Sequence, residues 1–229
     1  MENLYYSNII YLVSFLITLI AQIFVSSSYS RYKKILNSKD NTGYDTARKI
    51  LDKNNLEDVM ILETKGNLTD HYDPKRKVIK LSTDIYHGSS IASAAVAAHE
   101  CGHAIQDKNK YIPMRIRSAI VPFVNICTRL GYLAILIGLI FNRAPLLEAG
   151  IILLLAMLVF QLITLPVEFN ASKRALNELE KEKILDKEEK GNARNMLVAA
   201  AFTYVASVLS TLLQIFRLVL ISSSSDRRH

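Results

Sequence analysis

SIASAAVAAHECGHAIQ, residues 90–106, contains the pattern HExxH at positions 99–103. This alanine-rich run has no proline, so it predicts a helix. Residues four apart stand on the same face of a helix, so the imidazoles of His99 and His103 can converge on one cation. Glu100, one step round the helix, can reach a water bound to that cation.

The pattern HExxH suggests zinc-dependent hydrolysis. A bound zinc polarises the scissile carbonyl and lowers the pKa of its water, and Glu100 would pass the proton of that water to the leaving amine. A pattern with three fixed positions also occurs by chance. The pattern alone therefore leaves open the alternative that the two histidines only form hydrogen bonds inside the core. The surroundings favour the metal site, because Ser89 and Ser90 offer N-cap oxygens and small residues let other backbone approach. These small residues are Ala94, Ala95, Ala97, Ala98 and Gly102.

The composition indicates a protein that is part membrane and part water-facing. Half of the 229 residues are hydrophobic, yet 21% are charged. Two cysteines give no disulfide framework and fit a reducing compartment. The net charge of +7 could indicate nucleic acid, but no aromatic and basic binding motif accompanies it. Basic flanks of membrane spans explain the excess, so we expect the lipid bilayer as a partner and no nucleic acid.

Four apolar stretches are long enough to form transmembrane helices, at residues 4–25, 119–141, 146–165 and 196–221. A cleaved signal peptide is the alternative for the first stretch, but no basic residue precedes its apolar region. Arg31, Lys33 and Lys34 follow the first stretch. The charge bias therefore predicts an N-terminus outside the cell and an active site on the cytoplasmic side of the membrane.

These spans divide the chain into five segments. Residues 1–25 form the first transmembrane helix, 26–117 a cytoplasmic zincin-like segment with the HExxH helix, 118–165 a transmembrane hairpin, 166–195 cytoplasmic helices, and 196–229 the fourth transmembrane helix and an irregular tail. The predicted fold is a mainly α integral membrane protein, with about four transmembrane helices and a small zincin-like α+β unit in the cytoplasm.

The polar segment also carries a predicted strand. Residues 77–82 alternate Val78 and Lys80 with Ile79 and Leu81, as an exposed edge strand would. Such an edge beside a peptidase cleft could pair with an extended substrate. A solvated hairpin with basic residues is the alternative.

Glu168 opens the sequence EFNASKRA at residues 168–175, directly after the third span. It can supply the third protein ligand that a catalytic zinc needs, because two imidazoles and one carboxylate leave a fourth position for water. A metzincin would need glycine and histidine where Gln106 and Asn109 stand, so that class is excluded. Ser172 can accept a hydrogen bond from a ligand imidazole. The alternative for Glu168 is an interfacial carboxylate at a helix start.

Three stretches together resemble a known family: DHYDP at 70–74, SSIASAAVAAHECGHAIQD at 89–107, and EFNASKRA at 168–175. They are similar to the signatures of the YugP-type neutral zinc metallopeptidases of bacterial membranes, distant cousins of the HtpX-type and CAAX-prenyl proteases. The resemblance implies zinc ligands at His99, His103 and Glu168. It also implies Glu100 as the catalytic acid and base of a gluzincin-like site at the cytoplasmic membrane face. The HtpX-type pattern departs from this chain in having an aspartate at Ser172.

We therefore expect a membrane-embedded zinc metalloendopeptidase that hydrolyses membrane-associated or misfolded proteins at the cytoplasmic face. Its cofactor would be Zn²⁺, and its partners a protein or peptide substrate and the bilayer, with a membrane-protein partner or homo-oligomer left open. The transition-state oxyanion needs a donor, for which His71, Tyr72 and Arg174 are candidates by residue type.

Two other classes of function stay open. The first is a non-catalytic membrane scaffold or assembly factor that keeps a structural zinc. A structural zinc normally has four protein ligands, so His87, His71 or Cys101 would have to complete the site. Helix geometry points Cys101 away from the histidine face, which weakens that choice. A transporter that uses intramembrane charge would depend on Arg129 alone.

Overall fold

The structure is a computed structural model that describes the backbone of residues 2–226 and the side chains of residues 5–222. Within that range, seven helices and three strands follow one another along the chain. They are α1 (Glu2–Tyr32), α2 (Gly43–Lys53), β1 (Met60–Thr64), β2 (His71–Asp73), β3 (Val78–Ser82), α3 (Thr83–His87), α4 (Ile91–Lys108), α5 (Ile112–Ile140), α6 (Ala144–Lys181) and α7 (Lys187–Asp226).

Four of the described helices, α1, α5, α6 and α7, are long and apolar enough to cross a membrane. Their outward surfaces carry many large apolar side chains, among them Phe15, Phe123 and Phe216. Such surfaces are stable in lipid and costly in water. The prediction of a mainly α membrane protein with four spans and a small sheet is confirmed.

All four spans belong to helices that are longer than the apolar stretches predict, and α6 extends furthest beyond its stretch. α6 continues through Pro166 to Lys181, although the sequence predicts that a span ends at residue 165. Every fourth residue on one face of this continuation is fully buried: Val167, Ala171, Ala175 and Leu179. Packing of that face offsets the backbone hydrogen bond that a proline inside a helix lacks. Glu168 therefore lies inside a helix, so the alternative of a helix-start carboxylate is wrong.

The end of α7 also differs from the sequence prediction. The helix reaches Asp226, whereas the sequence predicts an irregular tail from residue 222. The serine-rich segment at residues 222–226 contains no proline or glycine that would end the helix. The rest of that predicted tail, residues 227–229, lies outside the described residues.

Packing divides the chain into two compact units. The first unit contains the described parts of 1–22, 116–165 and 203–229, and the second unit contains 23–115 and 166–202. In the first unit, Ser14 and Ser210 join α1 to α7 through hydroxyl oxygens 2.7 Å apart. The second unit contains the sheet, the HExxH helix α4 and Glu168.

The sheet of the second unit has the strand order β1-β3-β2, with β1 parallel and β2 antiparallel to β3. The strand predicted at an exposed edge is therefore the central strand, and that prediction is wrong. Val78 and Ile79 point to opposite faces and both are buried, because packed elements cover both faces of the sheet. The edge-strand prediction rested on the polar residue Lys80 in the alternating pattern. In the structure, Lys80 is half-buried in the central strand. The free edges belong to β1 and β2.

The helix α4 is the centre of this unit's core, as its alanine-rich sequence predicts. Ser90 caps its start by accepting a hydrogen bond from the Ser93 backbone at 3.0 Å. Its small residues are fully buried and allow neighbouring backbone to pack closely. On one side, the Cys101 thiol points at the backbone oxygen of Ala47 in α2.

Candidate metal centre

Three potential metal ligands meet where α4 packs against α6. The Nε2 atoms of His99 and His103 lie 3.3 Å and 3.5 Å from Oε2 of Glu168. Each residue can offer one ligand atom such that all three lie within 4.8 Å of one another. Two ligands of a tetrahedral zinc, each about 2.0–2.1 Å from the ion, lie about 3.4 Å apart. Both the donor types and their spacing fit zinc.

The helix spacing and one glycine produce this geometry. Four residues apart on α4, the two imidazole rings stand with centroids 4.8 Å apart and planes at 87°. On the same turn, a Cβ atom at Gly102 would lie 2.5 Å from the backbone oxygen of Ala171. Because no side chain fits there, the backbone of α6 reaches the HExxH turn and brings the carboxylate of Glu168 to the imidazoles.

The remaining ring nitrogen of His99 faces α6. Its Nδ1 lies 3.2 Å from the hydroxyl oxygen of Ser172, one turn beyond Glu168. The serine hydroxyl oxygen can accept a hydrogen bond from a protonated Nδ1. The lone pair of Nε2 is then directed towards the metal position. The side chain of His99 keeps 16% exposure, so one edge of the site is open to a ligand.

The second imidazole is fixed by a residue that the sequence reasoning missed. Nδ1 of His103 lies 3.0 Å from Oε1 of Gln106, which is fully buried. The amide nitrogen of Gln106 donates to the backbone oxygen of Val167 at 2.7 Å and to Oδ1 of Asn170 at 3.0 Å. Since the nitrogen is committed to these acceptors, Oε1 must accept from His103. His103 then carries its proton on Nδ1 and offers Nε2 to a metal.

A signal for Gln106 was present in the sequence. It follows His103 by three residues on a helix, so the two side chains share a face. The sequence reasoning used Gln106 only to exclude a metzincin. Its partners Val167 and Asn170 lie on α6, far along the chain, and no local pattern shows that contact.

The general base proposed from the sequence, Glu100, is buried on α4 with 7% exposure. Within the described side chains, no hydrogen bond or ion pair engages its carboxylate. Its charge nevertheless acts on the neighbouring imidazole of His103. The carboxylate is therefore free to accept a proton from a water in the site.

Opposing effects set the pKa of His103 in the metal-free site. Burial alone would lower it, but the hydrogen bond to Glu168 and the charges of Glu100 and Glu168 raise the pKa above its ordinary value. A metal ion must therefore compete with a proton that this imidazole binds more tightly than an ordinary histidine does.

The three oxyanion candidates form hydrogen bonds outside the metal centre. Tyr72 donates its hydroxyl to Asp107 at 2.9 Å, and burial together with this bond raises the pKa of Tyr72. His71 is exposed, with Nδ1 2.8 Å from the backbone oxygen of Thr69. Arg174 donates Nε to Asn170 at 2.8 Å, and so belongs to the network that holds Gln106. None of the three forms a hydrogen bond to the candidate ligands.

The structure disfavours a metal site closed by four protein ligands. Among the described residues, the candidate group contains three histidine or carboxylate ligands and no fourth. Burial raises the pKa of the Cys101 thiol well above its ordinary value, and its Sγ faces Ala47 at 3.6 Å. His87 lies 3.4 Å from Glu63 instead. A structural zinc would lack the fourth ligand that the scaffold alternative requires.

Comparisons with known proteins agree with this chemistry. The profile of a family described as "Putative neutral zinc metallopeptidase" matches residues 7–223. The "Putative membrane protease YugP" of Bacillus subtilis (strain 168) is 44% identical over 201 residues, which cover 88% of this chain and 89% of that protein. No solved structure matches the chain. The two matches confirm the resemblance inferred from the sequence.

The contact at Gly102 yields a first prediction. Gly102→Ala should push α6 away, lower zinc content, and lower the free energy of unfolding by about 1–3 kcal/mol. Gly191→Ala is the matched control, because its added Cβ would meet no atom within 4 Å apart from the nearby backbone of its own helix. The control should keep its zinc and be stabilised by up to about 1 kcal/mol. Elemental analysis and thermal unfolding measure both variants, and full zinc content in Gly102→Ala would contradict the packing argument.

The role of Gln106 is tested by changing its hydrogen-bonding groups separately. Gln106→Met removes the acceptor for His103 and should weaken zinc binding about 10- to 100-fold. Gln106→Glu restores the acceptor but cannot donate to Val167, so it should recover zinc affinity without recovering thermal stability. Competition with a chelator measures the affinity. Equal loss of affinity in both variants would mean that Gln106 acts through packing alone.

The raised pKa of His103 predicts how zinc binding depends on pH. Below the raised pKa the imidazole is protonated and cannot bind metal. Zinc affinity should therefore fall as pH decreases through that pKa, in a range that lies above the ordinary histidine value of about 6.5, by up to about tenfold per pH unit. Calorimetry in buffers of different ionisation enthalpy would also show proton release on binding. Constant affinity without proton release over this range would contradict the proton assignment.

Proposed function

This chain belongs to the neutral zinc metallopeptidase family, and we propose that it acts as a membrane-embedded zinc metalloendopeptidase with a gluzincin-like site, HExxH plus glutamate. The observation that carries the proposal is the convergence of His99 and His103 on one carboxylate oxygen of Glu168, at 3.3 Å and 3.5 Å. This is the ligand set of a catalytic zinc, which keeps one position open.

The ligands would be His99, His103 and Glu168. When bound, zinc supplies a polarised substrate carbonyl and a water of lowered pKa. Ser172 and Gln106 would hold the protons of both imidazoles on Nδ1. Each neutral ring would then offer the lone pair of Nε2 to zinc in a fixed orientation. The buried carboxylate of Glu168 balances part of the added positive charge, which a buried metal site needs.

Glu100 is the proposed general base and acid. Its carboxylate follows His99 directly on α4 and has no protein partner among the described side chains. It would accept the proton of the attacking water and deliver it to the leaving amine when the peptide bond breaks.

The hydrogen bonds of the three candidate residues reduce the choice of oxyanion donor. Tyr72 has one proton, and it is donated to Asp107. Nδ1 of His71 donates to the carbonyl oxygen of Thr69, so Nε2 of the neutral ring has no proton to donate. The two terminal nitrogens of Arg174 both carry protons, and its hydrogen bond to Asn170 uses Nε instead. We therefore propose Arg174 as the oxyanion donor and rank His71 and Tyr72 below it.

The substrates proposed are membrane-associated or misfolded proteins. The free edge of β2 could take an extended peptide as an added strand, and the bond from Tyr72 to Asp107 ties that strand to α4, one turn beyond His103. The basic residues Arg31, Lys33 and Lys34 support a cytoplasmic position for the segments 26–117 and 166–195 and an N-terminus outside.

Separating metal binding from proton transfer tests this function. Glu100→Gln should keep its zinc and lose cleavage of casein, an unstructured reporter, by at least about 10²-fold, because an amide cannot accept the proton of the water. Glu168→Ala should lose zinc by elemental analysis as well as activity. Activity close to wild type in Glu100→Gln would refute the acid and base role. A fully zinc-loaded Glu168→Ala would mean that another residue is the third ligand.

A further inference from the structure

A cavity lies away from the candidate metal centre, between the last turns of α1 and the first part of α7. It belongs to the second unit and has a volume of about 430 Å³. Its lining includes Phe24, Ser27, Ser28, Arg31, Asn195 and Val198. These side chains take no part in the proposed peptidase chemistry.

The lining changes from apolar to polar along the helix axes. Phe24 lies seven residues before Arg31, or about 10 Å along the helix at 1.5 Å per residue. On α7, Val198 lies one turn beyond Asn195, at the same apolar end as Phe24. Phe24 also packs edge to face on Phe202, with ring centroids 6.0 Å apart. The cavity therefore joins an apolar region to a polar region where the apolar stretch of α1 ends, at the depth of lipid headgroups.

The polar end carries Arg31, whose charge is not neutralised by any of the described side chains. Within the described side chains, Arg31 has no carboxylate partner, and its recorded contact is with the ring of Tyr32, 5.8 Å from the centroid. Lys33, in contrast, pairs with Asp84 at 2.5 Å. The hydroxyl of Ser28 is likewise unpaired among the described side chains. A guanidinium fork and a nearby hydroxyl match the oxygens of a phosphate group.

We propose that this cavity binds the headgroup of an anionic phospholipid, with the phosphate on Arg31 and an acyl chain against Phe24 and Val198. Basic pockets between transmembrane helices recognise such headgroups. No residue lining the cavity carries a carboxylate to pair with the ammonium of a zwitterionic lipid, so a headgroup of net negative charge fits best. The apolar half of the cavity favours a lipid over free phosphate.

The test compares two single charge removals in the full-length protein in lipid nanodiscs. Arg31→Gln should reduce retained phosphatidylglycerol, measured by native mass spectrometry, by about tenfold, because a bidentate charge-assisted contact is lost. Lys34→Gln is the matched control, since Lys34 is exposed and does not line the cavity. It should retain phosphatidylglycerol like wild type. Wild type should retain little phosphatidylcholine.

Several outcomes would overturn this lipid site. Equal loss in Lys34→Gln would show diffuse surface attraction, and equal retention of phosphatidylcholine would remove the role of headgroup charge. Displacement of the lipid by inorganic phosphate would indicate a free-anion site. Ser28→Ala, a milder change, should show a smaller loss than Arg31→Gln. Zinc content and casein cleavage measured on the same samples report folding and the peptidase site separately, so failure here leaves that proposal standing.

Discussion

The close approach of two backbones, α4 at Gly102 and α6 at Ala171, is the constraint on which the metal centre depends. A single methyl group at position 102 would meet the Ala171 backbone oxygen at 2.5 Å. The imidazoles come from one helix, and the carboxylate comes from a helix that enters far later in the chain. Their donor atoms reach metal-binding distances only because no side chain separates the helices at this point.

Burial strengthens the electrostatic interactions of the three proposed ligands, but it also makes an unpaired charge among them unfavourable. Glu168 keeps only 4% exposure, and an uncompensated carboxylate would be unfavourable there. The two imidazoles compensate it, and Ser172 and Gln106 in turn satisfy the imidazoles. Each of the three proposed ligands thus has a defined polar partner, which fixes its orientation before a metal arrives.

The sequence predicts the parts of the site that local pattern determines. A four-residue spacing on an alanine-rich helix defines the histidine pair, and the apolar stretches define four spans. The proposal of Glu168 as third ligand follows from residue type and from its place after a span. By contrast, the central position of β3 and the bond from Gln106 to Val167 depend on contacts between distant segments. Continuation of α6 through Pro166 likewise depends on packing that outweighs a local helix breaker.

The cysteine inside the HExxH motif is protected from chemical modification by its burial. Cys101 is fully buried, its thiol faces α2, and burial raises its pKa, so little reactive thiolate forms. Peroxides and alkylating agents attack the thiolate of accessible cysteines. Oxidative stress should therefore leave the folded motif chemically intact, and agents that remove metal should inactivate it far more readily than agents that modify sulfur.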